Sequence, residues 1–245
     1  MNVSVIIPTF NEEGSIGKLV KYLLYHASDR LEEIIVCDGH SSDATFSIAQ
    51  QAGAKVILSP QRGRAAQMNY GASTAKGDIL YFVHADTLPP SSYLSDIHQA
   101  LDEGCLLGSY RSEFISKNPL LKINAYFTRF DGVPYHGGDQ TLFIYKDFFD
   151  ELGGYREDYL IMEDFEMIRR ARQKAVFKNM RKKVRISARK YQKNSYLRVS
   201  VANFIIYNMF RMGFSPQIMR TTYYKLIKHP KAQLEEESSS HLRVY

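Results

Sequence analysis

The sequence predicts an α/β fold, a mostly parallel sheet with helices on both faces, on three observations. Short apolar runs, rich in β-branched residues, recur at 3–7, 34–37, 56–58 and 79–83; each reads as a strand, 3–7 is of the buried type, and 79–83 is too short for a helix of its own and long enough for a strand buried on both faces. Helical periodicity fills the gaps between them, so strand and helix alternate four times in about ninety residues. No Gly-x-Gly-x-x-Gly follows any of these strands, which argues against a dinucleotide-binding domain.

The first strand closes on Pro8, and after the turn Pro8-Thr9-Phe10-Asn11 a helix is expected over about 12–25. The second strand runs into Asp38-Gly39-His40-Ser41-Ser42-Asp43. There Ser41 or Ser42 can cap a helix whose Ala44, Ile48, Ala49 and Ala52 fall at helical spacing before Gly53. A third strand and a helix over about 64–75 lead to Gly77 and the fourth strand. That strand ends abruptly in His84-Ala85-Asp86, and Thr87 with the Pro89-Pro90 pair stops any continuation. Asp86 thus stands at the carboxyl end of a parallel strand, where open α/β sheets bind ligands. The structural alternative is that His84 and Asp86 cap the helix started by Ser91 or Ser92. Beyond it the sequence predicts a helix at 93–101, a strand at 106–111 and a helix around 120–130. The turn Gly137-Gly138-Asp139-Gln140 then feeds the apolar run 141–145, and Gly153-Gly154-Tyr155 makes another turn. Met162-Glu163-Asp164-Phe165 opens a helix through about 171. After a basic stretch at 178–198, helices are expected over about 197–212 and, past Gly213 and Pro216, to about 228; residues 229–245 are expected to be disordered.

A chain of 245 residues, 44% hydrophobic, can bury a proper core. Cys37 and Cys105 lie in or beside apolar runs without metal-ligand spacing and read as buried free thiols of a reducing compartment. The N-terminus enters a strand directly, with no basic leader or cleavage site, so a cytoplasmic protein is expected. The formal charge of +6 is unevenly spread. Residues 1–166 carry 13 Lys/Arg and 23 Asp/Glu, a net −10, whereas 167–234 carry 18 Lys/Arg and no acid, a net +18.

Four acid-bearing turns are candidates for chemistry: Thr9-Phe10-Asn11-Glu12, Asp38-Gly39, His84-Ala85-Asp86 and Glu163-Asp164. The first three follow strands that all point the same way, so they should converge on one sheet edge. Converging acids suit a divalent metal, or hydrogen bonds to a base, ribose or sugar. Helix capping is the alternative, better for Asp43 than for Asp38, whose neighbour Gly39 suggests close backbone approach. His40, His84 and His136 lack the spacing of a zinc site.

Val3-Ser4-Val5-Ile6-Ile7-Pro8-Thr9-Phe10-Asn11-Glu12, Val36-Cys37-Asp38-Gly39-His40-Ser41-Ser42-Asp43-Ala44-Thr45, the strand ending in Asp86, and Met162-Glu163-Asp164 resemble, in order and spacing, the motifs of glycosyltransferase family 2. Gly63-Arg64-Ala65-Ala66-Gln67-Met68-Asn69-Tyr70-Gly71-Ala72 and His84-Ala85-Asp86-Thr87 are similar to a bacterial subgroup of small, single-domain members. The resemblance implies a GT-A catalytic domain (a Rossmann-like nucleotide-diphospho-sugar transferase) over 1–190, and the basic, helix-patterned residues beyond it are expected to form a helical extension over 191–228. It implies inverting transfer of a sugar from a UDP or GDP donor to a hydroxyl or carboxyl of a lipid-like or small acceptor. A single transfer is expected, because the Gln-x-x-Arg-Trp motif and spanning helices of processive members are not matched. Residue by residue, it places Pro8, Thr9, Asn11 and Glu12 in the first nucleotide-contacting loop, Asp38 at the base, and Arg62 and Arg64 along the nucleotide. It places Ala85 and Asp86 at the diphosphate, with Asp86 as ligand of Mg2+ or Mn2+, and Asp164 as general base. His84 departs from the family's pattern, replacing the first acid of its Asp-x-Asp motif.

The chemistry of the residues agrees. A departing nucleoside diphosphate needs positive charge, which a metal on Asp86 and a cation such as Arg62 or Arg64 can supply. A carboxylate at Asp164 can take the acceptor's proton. Gly138, Asp139, Glu163 and Tyr191 are candidates for the acceptor side; a structural turn is the alternative for Gly138 and Asp139, and a favourable helix-dipole charge for Glu163. Two other functions remain open. A nucleotidyltransferase that makes a nucleotide sugar would have a glycine-rich loop with an arginine, unlike Pro8-Thr9-Phe10-Asn11-Glu12. An inactive nucleotide-binding or membrane-docking protein is suggested by His84.

The acid-free basic third suits nucleic acid, an anionic membrane or an acidic acceptor. No nucleic-acid motif is present, so nucleic acid is not expected as a partner. Val199, Ala202, Phe204, Ile205, Ile206, Met209, Phe210 and Met212 form a broad apolar surface on a helix too polar and too short to span a bilayer. With Lys182, Lys183, Lys190 and Lys193 it is expected to lie on an anionic membrane surface, packing on the catalytic domain being the competing reading.

Overall fold

Period-two alternation within the strands divides the core into two layers. In β1 (Val3–Thr9), Val3, Val5 and Ile7 enter one buried cluster and Ile6 the other. In β4 (Ile79–Phe82), Ile79 and Tyr81 join the first cluster, Leu80 and Phe82 the second. Strands apolar on both sides must be covered on both sides, and the helices between them do this. The computed structural model describes residues 1–116, 118–130, 141–189, 191 and 194–227.

The elements between and after these strands are α1 (Ile16–Tyr25), β2 (Leu31–Asp38), α2 (Thr45–Gln51), β3 (Lys55–Leu58), α3 (Arg64–Thr74), β5 (Thr87–Leu88), α4 (Tyr93–Asp102), β6 (Leu107–Ile115), α5 (Pro119–Phe127), β7 (Leu142–Tyr145), α6 (Lys146–Glu151), α7 (Glu163–Ala171), β8 (Phe177–Ser187), α8 (Tyr196–Arg211) and α9 (Pro216–Leu226). The sheet runs β3-β2-β1-β4-β7-β6-β8-β5. β1 pairs in parallel with β2 and β4, β2 with β3, and β6 with β8; β7 runs antiparallel between β4 and β6. Ile16, Leu19, Leu23, Tyr93 and Ile97 cover one face of the sheet, and Ala65, Met68, Ala72 and Met167 the other.

Several expectations are corrected. The first helix begins at Ile16, four residues late; Glu12–Ser15 form a turn in which Glu12 N–H donates to Thr45 Oγ1 at 2.7 Å and Glu12 O accepts from Ser15 and Ile16 N–H. Neither Ser41 nor Ser42 caps α2: Ser41 bonds Asp38, Ser42 bonds Asn11, and Asp43 accepts from Thr45 N–H at 3.0 Å. Thr87 does not end the chain's extended course, since Thr87 and Leu88 pair antiparallel with Ile186 and Arg185. The basic stretch contains the 11-residue strand β8. Lys182 and Lys183 therefore lie in a sheet, where Lys182 Nζ bonds Asp96 Oδ1 at 2.7 Å and Lys183 Nζ bonds Glu113 Oε1 at 3.3 Å. Cys37 is buried, which pushes its thiol up to about 12, but Cys105 is partly exposed.

The apolar surface of α8 is split. Val199, Ala202, Ile206 and Phe210 are buried, and Ile206 and Phe210 cluster with Tyr159 and Met219, whereas Phe204 is 70% exposed. Among the described residues no helix is long and apolar enough to cross a membrane. Gly138, Asp139, His136, Lys190, Lys193 and the tail at 229–245 lie outside the described residues.

Candidate active site

Parallel pairing sets Thr9 opposite Asp38 and Ile6 opposite Phe82, so the loops after β1, β2 and β4 emerge at one edge. They interlock there. Gly39 N–H donates to Thr9 O at 2.8 Å, Asn11 N–H to Ser41 Oγ at 2.9 Å, and Ser42 N–H to Asn11 Oδ1 at 2.8 Å. Asn11, His40 and Met162 are the described non-glycine residues with positive φ, at 54°, 65° and 67°. All three flank the acid-bearing turns, and such backbone strain collects at functional sites, where the surrounding contacts hold it.

Asp38 is buried, and its carboxylate is largely engaged: Oδ2 accepts from Ser41 N–H at 2.8 Å, and Oδ1 from the hydroxyls of Ser41 and Thr9. It shapes the loop from within. Pro8 and Thr9 belong to β1 itself, and Ala85 is buried, so of this group Asn11 and Glu12 are the side chains left partly exposed. The Arg62 guanidinium lies 5.8 Å from the centre of the Phe10 ring.

The Gly63-to-Ala72 motif becomes α3, which works as a clamp. Gln67 Nε2 donates to Thr9 O at 2.7 Å and Cys37 O at 2.8 Å, tying together the ends of β1 and β2. A Cβ on Gly39 would come within 2.9 Å of that amide, which explains the glycine. Asn69 accepts from Tyr155 N–H at 2.8 Å and donates to Tyr155 O at 2.9 Å, pinning the Gly153-Gly154 turn. At the start of the helix, Arg64 Nη1 donates to Glu163 Oε1 at 2.9 Å and lies 3.9 Å from Asp164 Oδ2. Arg64 thus faces the α7 carboxylates.

Asp164 is nearly buried at 9% side-chain exposure, with His84 Nε2 4.0 Å from its Oδ2. The departure at position 84 therefore borders the candidate base. Tyr155, wholly buried between Phe82 and Phe149, also lies beside Asp164; burial, then the charges of Asp164 and Glu163, hold its phenol well above the ordinary value. Sequence reasoning did not assign Tyr155 a role. Tyr191 packs edge-on against Phe114 and stacks on Tyr196, with centroids 5.7 and 6.2 Å away.

At the Asp86 edge the structure adds a residue with no local sequence signal. Ser187 N–H donates to Asp86 O at 3.1 Å, carrying the chain past β8 across this edge. Arg189 Nη2 then bonds Glu12 Oε2 at 2.8 Å and lies 3.5 Å from Asp86 Oδ2. Among the described residues no group of three His, Cys, Asp or Glu could hold a metal ion. Asp86, 36% exposed at the edge, instead fits Mg2+ or Mn2+ held by one carboxylate, waters and the substrate's own phosphates.

A family model described as glycosyl transferase family 2 matches residues 4–171. "Probable glycosyltransferase YdaM" of Bacillus subtilis is 30% identical over 192 residues, covering 67% of this chain and 45% of that protein. "Glucosyl-3-phosphoglycerate synthase" of Mycolicibacterium smegmatis is 33% identical over 96 residues, 36% of this chain and 32% of that one. The chain thus spans less than half the length of either relative. Among solved structures, the Pyrobaculum calidifontis mannosyltransferase PcManGT in complex with GDP-Man and Mn2+ superposes with a TM-score of 0.66 at 18% identity, covering 100% of this chain and 81% of that one. S. aureus TarS 1-349 gives 0.64 at 17%, covering 91% and 69%. Both have the GT-A fold, which this chain shares.

Proposed function

The chain belongs to glycosyl transferase family 2, and from that premise we propose that it transfers one sugar, with inversion, from a UDP or GDP donor to a hydroxyl of a lipid-like or small acceptor. The observation that carries the reading is the division of the edge into two carboxylate centres, Glu12 with Asp86 and Glu163 with Asp164, each beside an arginine. The first suits a diphosphate and its cation; the second suits proton removal.

In this reading the donor's diphosphate lies at Asp86, the residue that would hold Mg2+ or Mn2+ with it. A divalent cation there would neutralise the charge that builds up on the departing diphosphate. The acceptor hydroxyl attacks the anomeric carbon from the opposite side as the bond to the diphosphate breaks, and its proton passes to Asp164. Arg64 holds Glu163 and borders Asp164, fixing both carboxylates toward the acceptor. The nearly buried setting limits competition from water. PcManGT, whose described complex contains GDP-Man and Mn2+, and the TarS complex with UDP-GlcNAc support a nucleotide-sugar donor. A relative named undecaprenyl-phosphate 4-deoxy-4-formamido-L-arabinose transferase supports a lipid-like acceptor.

A thermal-shift panel of UDP and GDP sugars, with and without Mn2+, tests the donor and metal together, because a ligand bound only by the native state raises Tm. At a ligand concentration 100 times Kd the native state gains about 2.7 kcal/mol. Asp86→Asn should lose the Mn2+-dependent part of the shift. Equal Mn2+-dependent stabilisation in wild type and Asp86→Asn would remove Asp86 from the metal site.

A further inference from the structure

Arg189 stands 51% exposed between two carboxylates contributed by the loops after β1 and β4, and it comes from a segment more than 100 residues later in the chain. Two acids converging on an edge repel unless a cation lies between them. Here the cation is part of the chain, and the backbone bond from Ser187 to Asp86 brings it there. We propose that Arg189 is a built-in counter-ion of the nucleotide site: its guanidinium fills the position between Glu12 and Asp86 until a divalent cation and a nucleoside diphosphate load, and then turns to the diphosphate.

The inference rests on the reading of Asp86 given above. Mg2+ or Mn2+ binds a carboxylate oxygen at about 2.1 Å. A guanidinium 3.5 Å from Asp86 Oδ2 would then meet it at close range, and like charges at such a distance repel even when solvent screens them. The guanidinium must therefore leave Asp86 on loading. It has a second partner to accept, because its planar fork suits phosphate oxygens as well as carboxylate oxygens. The exchange needs only a side-chain rotation, since neither the β5–β8 pairing nor the backbone bond from Ser187 to Asp86 involves the guanidinium.

This makes the effects of removing Arg189 opposite in sign. Without its competitor, Mn2+ alone should bind Arg189→Gln about five-fold more tightly than wild type, the scale of a partly exposed ion pair. With Mn2+ saturating, UDP or GDP should bind the variant about five-fold more weakly, because the diphosphate has lost a donor. Arg189→Lys, which keeps the charge without the fork, should fall between the two and carries the same test should the glutamine variant not fold.

Calorimetric titration of the full chain with Mn2+ alone, then with UDP and GDP in saturating Mn2+, reads both effects. A merely structural bridge would lower Tm and weaken both ligands together, overturning the inference. Unchanged or weaker Mn2+ binding by Arg189→Gln, in a protein whose wild type binds nucleoside diphosphate with Mn2+, would overturn it while leaving Asp86 as the metal site. If neither wild type nor variant binds Mn2+ or nucleoside diphosphate, both readings fall.

Discussion

The two ends of the sheet handle charge in different ways. In β1, β4 and the second half of β2 the strands are almost entirely apolar, and polar residues gather where they stop, around Asp38 and Asp86. In β8, charge lies along the strand itself: Arg181, Lys182, Lys183 and Arg185 are exposed, while Val184 and Ile186 are buried. Its cations meet acids from the first two thirds of the chain, Lys178 with Glu103, Lys182 with Asp96 and Lys183 with Glu113. Arg170 and Lys174 on the way into β8 meet Glu166 and Glu151, and Arg189 beyond it meets Glu12. A region that is +18 by itself is thus partly neutralised by the region that is −10. Uneven charge along a sequence need not leave a charged surface, because folding places the two halves against each other.

The largest expected effect tests how the C-terminal helices are held. Phe210 is 3% exposed, packs on Tyr159 and lies under the Arg169 guanidinium; Phe210→Ala should cost about 3 kcal/mol in urea unfolding. Phe204, on the exposed side of the same helix, should lose less than about 0.5 kcal/mol on the same change. Equal losses at both positions would mean that α8 is not held by its Phe210 face.

The acid edge is tested by function instead. Asp164→Asn preserves shape and removes the proton acceptor, so turnover should fall about 100-fold or more, roughly 2.7 kcal/mol, with nucleotide affinity and Tm retained. Wild-type turnover in that variant, with chemistry rate-limiting, would take the base away from Asp164.

The smallest effect concerns the charge pairing. Lys182 is 56% exposed and its partner Asp96 10%, so solvent screens much of their attraction; Lys182→Gln should cost no more than about 1 kcal/mol, and less in high salt. If the variant instead loses salt-sensitive flotation with anionic vesicles while its stability is unchanged, Lys182 serves a membrane surface and not the fold.

Local pattern in the chain was enough for the first four strands, the helices between them and the convergence of Thr9, Asn11, Glu12, Asp38 and Asp86. The physical reason is local. Runs apolar on both faces, as in β1 and β4, become strands covered on both sides, short right-handed crossovers make neighbouring strands parallel, and parallel strands end at one edge; β3, short and half-exposed, takes the outer position of the sheet. The α3 motif was legible as a segment, but the duties of Arg64, Gln67 and Asn69 were not, because their partners lie 30 to 99 residues away. That 177–187 is a strand follows from long-range pairing instead: its alternation is broken by cations, and β6 supplies its hydrogen bonds from some 70 residues earlier, with a register shift between Tyr110 and Arg111. The same holds for Tyr155 beside Asp164 and for Arg189 between Glu12 and Asp86. A lone tyrosine after two glycines, or one arginine in a basic run, carries no local pattern; each acquires a role from the charge that folding places next to it.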